Sequence, residues 1–287
     1  MSLYRSEPSR PRLESPVLVT ALEGWVDAGE AATAAAEHIA RGAEVVAWFD
    51  TDALLDYRAR RPQLDIVDGD LKSLAWPELP VRHVRLEGRD LLVLSGPEPD
   101  YRWREFTEAV LEFAMRSGVT QFVALGSLAM AVPHTRPTSL LATASRPELL
   151  RPEDQRPEGY LRVPAAAVSA IEMTFREHGI PVVGFWAQTP HYVGAVYTPS
   201  VIALVERLGI HLGVAFPLGS LTDEAADQRR TLDGIVAERP EVKEYVGRLE
   251  EIQPSAGRVP SGDELAAEIE RFLKDRGRDE GSGGTLG

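Results

Sequence analysis

Five short apolar runs recur along the first two thirds of the chain. Each is four to six residues long, which suits a β-strand and is too short for a helix. The runs are apolar at consecutive positions, so they predict strands buried on both faces, as in a parallel sheet. They are Val17–Ala21, Val45–Phe49, Leu91–Ser95, Phe122–Leu125 and Val182–Ala187.

Amphipathic segments lie between these runs and predict helices. The clearest spans residues 102–116, where one helix face carries Trp103, Phe106, Val110 and Phe113. Further helices are expected at about 28–41, at 164–177 and from the Thr198-Pro199 pair onward. Alternating strands and helices of these lengths predict an α/β fold with a largely parallel sheet in residues 16–219.

Residues 54–88 have a different pattern. Asp68-Gly69 stands between two short mixed runs, which predicts a β-hairpin. Val81–Leu86 alternates and is expected to form an edge strand. The block is either an insertion that protrudes and makes oligomer contacts or a plain extension of the sheet, and the pattern does not decide between them.

Strands are not predicted after Phe216. Helices are expected from Thr222, from Pro240 and from the Ser261/Glu264 capping box, so that residues 220–276 form a helical subdomain. This subdomain either packs on the sheet or covers the ligand crevice as a lid. Residues 1–15 are expected to be flexible, and the composition of residues 277–287 predicts a disordered tail.

Composition narrows the function classes. A formal net charge of −13 argues against a protein that grips a nucleic-acid backbone. The absence of cysteine excludes disulfides, thiolate metal sites and a cysteine nucleophile. The longest apolar run, residues 122–132, is too short for a membrane helix, and no signal peptide is visible, so a cytoplasmic protein is expected. Arginine far outnumbers lysine and asparagine is missing, which suggests a GC-rich bacterial genome.

Polar residues follow four of the predicted strands. In an open parallel sheet, ligands bind beyond the carboxyl ends of the strands. We therefore predict a crevice for an anionic small molecule or peptide there. Its expected lining is Asp27, Glu98, His134, Arg136, His191 and Tyr192. Arg58 and Arg61, which belong to a basic segment at residues 57–62, are expected to reach toward it.

Most of these residues also have a simpler explanation. Asp27 could only cap a helix, and Glu98 could only shape a turn. His134 and Arg136 could belong to a capped turn pinned by an ion pair, and His191 could bond its neighbouring loop. Arg58 and Arg61 could lie on a solvated hairpin face.

Several familiar catalytic motifs are missing. The chain has no GxxxxGK[ST] loop, no GxGxxG after the first strand, no GxSxG elbow and no HExxH. Its six histidines are scattered. We therefore expect no metal and no cofactor, and the sequence identifies no catalytic residue.

Five motifs, in this order, resemble those of the proteasome assembly chaperone family, in its bacterial branch common in actinobacteria. The resemblance covers roughly residues 15–250. The motifs are Gly24-Trp25-x-Asp27-Ala28-Gly29, Tyr57-Arg58-x-Arg60-Arg61-Pro62, Gly96-Pro97-Glu98-Pro99-Asp100, Pro133-His134-Thr135-Arg136-Pro137 and Pro190-His191-Tyr192.

The resemblance implies a three-layer αβα domain of the phosphorylase/hydrolase-like kind with a C-terminal helical extension. It also implies self-association, most simply as a homotrimer, and a proteasome-related partner. Eukaryotic members engage proteasome rings through a C-terminal tail. Here the sequence ends Gly283-Gly284-Thr285-Leu286-Gly287, without the hydrophobic-Tyr-x ending of that tail.

Three hypotheses about function remain open at this point. The first is a homo-oligomeric, assembly-chaperone-like protein with an anion-binding crevice. The second is a hydrolase or transferase in the same crevice, with His134 or His191 as base and a carboxylate partner. The third is a purely structural scaffold built around the hairpin.

Overall fold

A computed structural model describes residues 3–7 and 12–252, and a mixed β-sheet lies at its centre. Eight strands form this sheet, and two more form a separate hairpin. The strands are β1 (Tyr4–Ser6), β2 (Val17–Glu23), β3 (Glu44–Phe49), β4 (Gln63–Val67), β5 (Asp70–Ala75), β6 (Pro80–Leu86), β7 (Arg89–Pro97), β8 (Gln121–Met130), β9 (Leu140–Ala144) and β10 (Val182–Pro190).

The strand order of the sheet is β1-β3-β6-β7-β2-β8-β10-β9. The four neighbours β7, β2, β8 and β10 pair in parallel, and every other pairing is antiparallel. Five strands therefore point one way and three the other. The parallel ladder occupies the middle of the sheet, where the buried apolar runs predicted it.

Seven helices cover the sheet in the described residues. They are α1 (Ala31–Ile39), α2 (Thr51–Leu54), α3 (Trp103–Arg116), α4 (Ala167–Glu177), α5 (Thr198–Leu212), α6 (Leu221–Glu238) and α7 (Pro240–Ile252). Helices α3 and α4 enclose one core with one face of the sheet, and α1 and α5 enclose a second core with the other face. The predicted three-layer α/β fold is confirmed.

Successive side chains of the central strands point alternately into the two cores. In β10, Val182 and Trp186 face the α3–α4 side, whereas Val183, Phe185 and Ala187 face the α1–α5 side. Trp186 lies over Gly126 of β8, where a Cβ would sit 2.3 Å from the indole ring. Gly126 therefore leaves the space that the Trp186 indole occupies.

The predicted hairpin is present as β4 and β5, joined by Asp68 and Gly69. Both turn residues have positive φ, 51° and 81°, as a two-residue turn of type I′ requires. Every residue of the two strands is exposed, so the hairpin protrudes from the domain. At its base, Trp76 packs edge-on against Tyr57 with ring centroids 4.9 Å apart.

The structure differs from the sequence expectations at several boundaries. The run Val81–Leu86 was expected at an edge, but the strand that contains it, β6, lies inside the sheet between β3 and β7, so only the hairpin itself protrudes. Tyr4–Ser6, within the segment expected to be flexible, forms the edge strand β1, and Leu3 is buried in the core. The strand β9 was not predicted.

Helix starts also differ from the predicted ones. The turn after Asp27 is 3₁₀, and α1 begins at Ala31. Helix α4 begins at Ala167, three residues after Pro164, and Thr222 lies inside α6 rather than capping it. Thr198 is likewise the first residue of α5, and its side chain makes no cap. The predicted helix at Ser261 and the tail lie outside the described residues.

Candidate functional site

The loop after β8 carries His134, whose side chain has no exposed surface. Its backbone N–H donates to the Tyr192 hydroxyl oxygen at 2.7 Å, and its Nδ1 lies 2.8 Å from the same oxygen. Because that oxygen already accepts the backbone N–H, its own proton is free to point at Nδ1. His134 therefore carries its ring proton on Nε2, which lies 3.3 Å from Asp233 Oδ1. The result is a carboxylate–imidazole–phenol chain.

A second imidazole stands beside this chain. His191 Nδ1 lies 3.0 Å from the Met130 carbonyl oxygen, which can only accept, so Nδ1 bears the proton. Its Nε2 is then free to accept from the Tyr245 hydroxyl at 2.9 Å. The rings of His134, Tyr192, His191 and Tyr245 pack edge to face, with centroids 5.6 to 6.3 Å apart.

The C-terminal helices supply the outer half of the cluster. Asp233 belongs to α6 and Tyr245 to α7, so the Nε2 atom of each histidine points at one of these helices. Arg229 of α6 donates to the His134 carbonyl oxygen at 3.1 Å and to both oxygens of Asp233 at 2.9 Å. The α6–α7 pair thus lies over the ends of β8 and β10.

Two further contacts fix the same helices. Thr135 donates a hydrogen bond to Glu250 of α7. Gln228 of α6 accepts from the Thr198 backbone N–H at 3.1 Å and donates to the Val196 carbonyl oxygen at 2.7 Å. The helices are therefore bonded to both loops and to the start of α5.

A cleft of about 480 Å³ opens next to this cluster. The loop after β8 forms one wall, and α5 and α6 form the others. Arg136 and Arg229 line it together with one acidic residue, Glu206. Arg229 is paired with Asp233, whereas Arg136 forms no ion pair with a described residue and is exposed. The cleft therefore offers one free guanidinium to an anion.

Burial sets the protonation of the cluster. Burial, followed by the charge of Arg229, lowers the pKa of His134 despite the opposing Asp233 carboxylate. Burial also raises the pKa of Tyr192 to about 12. Near neutral pH the imidazole is therefore neutral and the phenol keeps its proton, as the hydrogen-bond chain requires.

Asp27 lies elsewhere and acts as a helix cap. Its Oδ1 accepts from the backbone N–H groups of Ala32 and Thr33 at 2.8 and 3.2 Å, and its Oδ2 accepts from the Thr33 hydroxyl at 2.5 Å. Burial raises its pKa, and these bonds oppose the rise. The carboxylate thus occupies the place at the start of α1 where an anion would bind. Its contacts are those of a residue that caps a helix.

Glu98 also serves a helix terminus. Its Oε1 accepts from the Ala167 backbone N–H, the first of α4, at 2.6 Å. Gly24, which follows β2, has a φ of 120° that favours glycine, and a Cβ there would lie 2.9 Å from the other carboxyl oxygen. Burial raises the pKa of Glu98, and the bond from Ala167 opposes it.

The basic segment lies apart from the histidine cluster. Arg60 pairs with Glu23 at 3.3 Å and with Asp100 at 3.7 Å. Arg61 lines a separate cleft beside the hairpin base, and neither Arg58 nor Arg61 lines the cleft of Arg136. Of the eight predicted site residues, the structure brings together His134, Arg136, His191 and Tyr192.

Sequence reasoning missed the four residues that complete the cluster. They come from helices that lie 54 to 115 positions further along the chain than the residues they contact, and only their polar character on an amphipathic helix could have marked them. They are Arg229, Asp233, Tyr245 and Glu250.

Within residues 3–7 and 12–252, no helix is long and apolar enough to cross a membrane. The same residues contain no group of three or more histidine, aspartate or glutamate side chains arranged to hold a metal ion.

Comparisons with known proteins identify the family. A family model described as the PAC2 family matches residues 21–236. A protein of unknown function from Corynebacterium glutamicum is 31% identical, with 88% of this chain and 96% of that chain aligned and a TM-score of 0.82. A protein of unknown function from Mycobacterium tuberculosis is 33% identical, covering 97% and 92%, with a TM-score of 0.80.

A third structure carries a functional description. It is a Mycobacterium tuberculosis proteasome-assembly chaperone homologue, 35% identical over 80% of this chain and 99% of that chain, with a TM-score of 0.72. No curated protein matches the chain. The resemblance found in the sequence motifs is thus confirmed: the chain belongs to the PAC2 family.

Proposed function

We propose that the protein is a homo-oligomeric binding protein of the assembly-chaperone type, and that the Arg136 cleft holds an anionic group of a peptide or small molecule. Arg136 carries this proposal, because it lines the cleft and has no carboxylate partner among the described residues. An arginine fork can bind a carboxylate through two parallel hydrogen bonds. Arg229, across the cleft, adds a second positive charge.

The α6–α7 pair acts as a lid in this proposal. It contacts both histidine loops through Asp233 and Tyr245, and Arg229 contributes to the cleft wall at the same time. Opening the pair would expose the Nε2 atoms of both imidazoles and remove that wall. Ligand binding and lid closure would then support each other.

A carboxylate probe tests the cleft. We would measure the Tm with an acetylated tetrapeptide that ends in a free carboxylate and with the same peptide amidated. The free carboxylate should raise the Tm, and Arg136→Ala should lose that rise while keeping the unliganded Tm. Arg104→Ala, which removes an exposed arginine of α3, is the matched control. An equal rise in Tm with both peptides, or an unchanged rise in Arg136→Ala, would contradict the proposal that this cleft binds an anionic group.

The hairpin is the proposed contact between copies. Its register places Leu64 opposite Leu74 and Ile66 opposite Leu71, and the bulge after Asp65 brings all four onto one face. These side chains are 49 to 67% exposed. An isolated two-stranded hairpin is marginally stable, so an apolar face of this kind indicates a partner surface. The resemblance implies that three copies associate.

Deleting Gln63–Ala75 should yield soluble monomers in light scattering after size-exclusion chromatography. Leu71→Asp should have the same effect. Gln63→Asp, which adds the same charge on the opposite face, should leave the oligomer intact. Persistent oligomers in the deletion variant would exclude the hairpin as the contact.

A proteasome-related partner is proposed from the relative that is described as a proteasome-assembly chaperone homologue. Native mass spectrometry of the tagged protein from its own host would test it. A co-purifying proteasome subunit would support the assembly role. A stoichiometric small-molecule adduct without any protein partner would instead support a purely small-molecule role for the cleft.

A hydrolase or transferase is the second candidate, and the Asp233–His134–Tyr192 chain favours it. The His134 side chain is fully buried and Tyr192 is only partly buried, so in this candidate Tyr192 would be the residue of the chain that meets a substrate. Turnover of p-nitrophenyl esters or phosphates that disappears in Tyr192→Phe would support this candidate. Turnover that survives the substitution would exclude the chain as its source.

A further inference from the structure

A second cavity lies on the opposite side of the sheet from the Arg136 cleft. Its volume is about 330 Å³, within the range of about 300–1,000 Å³ typical of small-molecule sites. Helix α4, the strands β9 and β10, and the loop at 157–164 enclose it. The lining is mainly apolar, with Trp25, Leu128, Leu141, Leu161, Met173 and Trp186 as its large side chains.

Three polar atoms converge on the sheet wall of this cavity, where Gly184 of β10 has no side chain. A Cβ at Gly184 would lie 2.6 Å from Thr143 Oγ1 and 2.8 Å from both Glu172 Oε1 and Trp186 Nε1. The indole N–H donates to Thr143 Oγ1 at 3.0 Å. The glycine therefore leaves a polar niche within an otherwise apolar cavity.

The Glu172 carboxyl has no partner in this niche. No described residue donates a hydrogen bond to it or forms an ion pair with it, although its Oε1 lies against the central sheet. The cavity lining contains one other charged residue, Arg176, one turn further along α4 and exposed. Burial alone raises the pKa of Glu172 to about 8. The site thus keeps a mostly neutral carboxyl that lacks a positive partner.

We propose that this cavity binds a small apolar amine, with its ammonium group on the Glu172 carboxylate and its hydrocarbon body among the tryptophan, leucine and methionine side chains. A buried carboxylate is stabilised by an opposite charge within hydrogen-bond distance. The apolar lining supplies hydrophobic affinity for the rest of the ligand. No predicted site residue and no residue of the histidine cluster lines this cavity.

The proposal makes a specific prediction about protons. Near pH 7 the free carboxyl is mostly protonated, and an ammonium ion beside it favours the carboxylate. Binding of R–NH₃⁺ therefore releases close to one proton to the solvent per ligand. A neutral ligand of the same shape releases none.

Calorimetry with phenethylamine tests the site, in two buffers of different ionisation enthalpy at pH 7. We expect binding with proton release for the wild type. Glu172→Gln, which keeps the shape of the side chain, should weaken phenethylamine binding about tenfold or more and abolish the proton release. Phenethyl alcohol should bind both proteins alike, without proton release.

Glu177→Gln is the matched control, because it removes an exposed carboxylate from the same helix. It should bind phenethylamine as the wild type does. Ser169→Phe, which adds a bulky side chain on the α4 wall of the cavity, should abolish binding of both probes and serves if Glu172→Gln fails to fold. Absence of phenethylamine binding, tighter binding of phenylacetate, or equal amine affinity in Glu172→Gln would overturn the proposal.

Discussion

The attachment of α6 and α7 to the two histidine loops yields a quantitative prediction. Two of the bonds that hold these helices can be removed by small substitutions, Asp233→Ala and Tyr245→Phe. The first removes the carboxylate 3.3 Å from His134 Nε2, and the second removes the hydroxyl 2.9 Å from His191 Nε2. Neither substitution places a poor helix former in a helix.

The magnitude follows from the geometry of the two bonds. The Tyr245–His191 bond joins neutral groups at good distance and contributes about 1 kcal/mol. The Asp233–His134 contact involves a charged group but is long, and the Asp233 side chain is 49% exposed, so it also contributes about 1 kcal/mol. Together they stabilise the closed helices by about 2 kcal/mol, which corresponds to roughly a 30-fold change in the opening equilibrium.

Hydrogen exchange measured by mass spectrometry reads this equilibrium directly. In the double variant, amides of α6 and α7 should exchange about 30-fold faster, whereas amides of α1 should exchange at the wild-type rate. Asp227→Ala is the matched control, because Asp227 lies on the same helix and pairs only with Arg230 in the described residues. Faster exchange throughout the domain, or less than a threefold change in α6 and α7, would refute the reasoning.

Two further predictions concern buried charge on α5. Arg207 and Asp154 form a doubly hydrogen-bonded pair at 2.6 and 2.9 Å, with side chains 9% and 7% exposed, so Arg207→Met should cost about 3–5 kcal/mol at pH 7 by urea unfolding. Burial raises the pKa of Asp154, but the hydrogen bonds and charge of Arg207, together with the Arg151 backbone N–H and charge, outweigh burial and lower that pKa. The wild type therefore loses this stabilisation as the pH falls below about 4, and the difference in unfolding free energy between the wild type and Arg207→Met should narrow. Burial, then the charge of Arg207, lowers the pKa of His211 to about 4, so the folded state favours the neutral ring that accepts from Gln121. The free energy of unfolding in urea should therefore fall as the pH drops from 6.5 to 4, and His211→Gln should reduce that fall. The same pH dependence in the variant and the wild type would contradict this role of His211.

Much of the fold could be predicted because burial leaves a direct pattern in the sequence. The central strands are continuous apolar runs, and the Asp68-Gly69 turn has the positive φ angles that its residue types favour. The strand β9 escaped prediction because Leu140–Ala144 is short and rich in alanine, which has weak β propensity. The edge strand β1 has three residues, fewer than any periodicity can show.

The candidate site was predictable only in part, because local chemistry does not specify long-range partners. His134, His191 and Tyr192 share one edge of the sheet, so strand order alone brings them together. Asp27 and Glu98 also follow strands, but each carboxylate accepts a backbone N–H at the start of a helix, Asp27 at α1 and Glu98 at α4. The first N–H groups of a helix have no partner within the helix, and they already donate hydrogen bonds to these two carboxylates. Neither carboxylate is therefore left to bind a ligand.

The position of Arg229 links the cleft to the lid in a way that can be tested. Arg136 comes from the loop after β8 and Arg229 from α6, so an anion that contacts both can bind only while α6 is docked. Such a ligand stabilises the closed state by RT ln(1 + [L]/Kd), or about 2.7 kcal/mol at one hundred times Kd. Saturating carboxylate peptide should therefore slow exchange in α6 and α7 about a hundredfold in the wild type. In Arg136→Ala the same peptide concentration should leave exchange unchanged, because the loop half of the site is gone while the helix contacts remain. A peptide that binds without slowing amide exchange in α6 and α7 would show that the cleft binds it without these helices. The proposal that the helices act as a lid on the ligand would then be wrong.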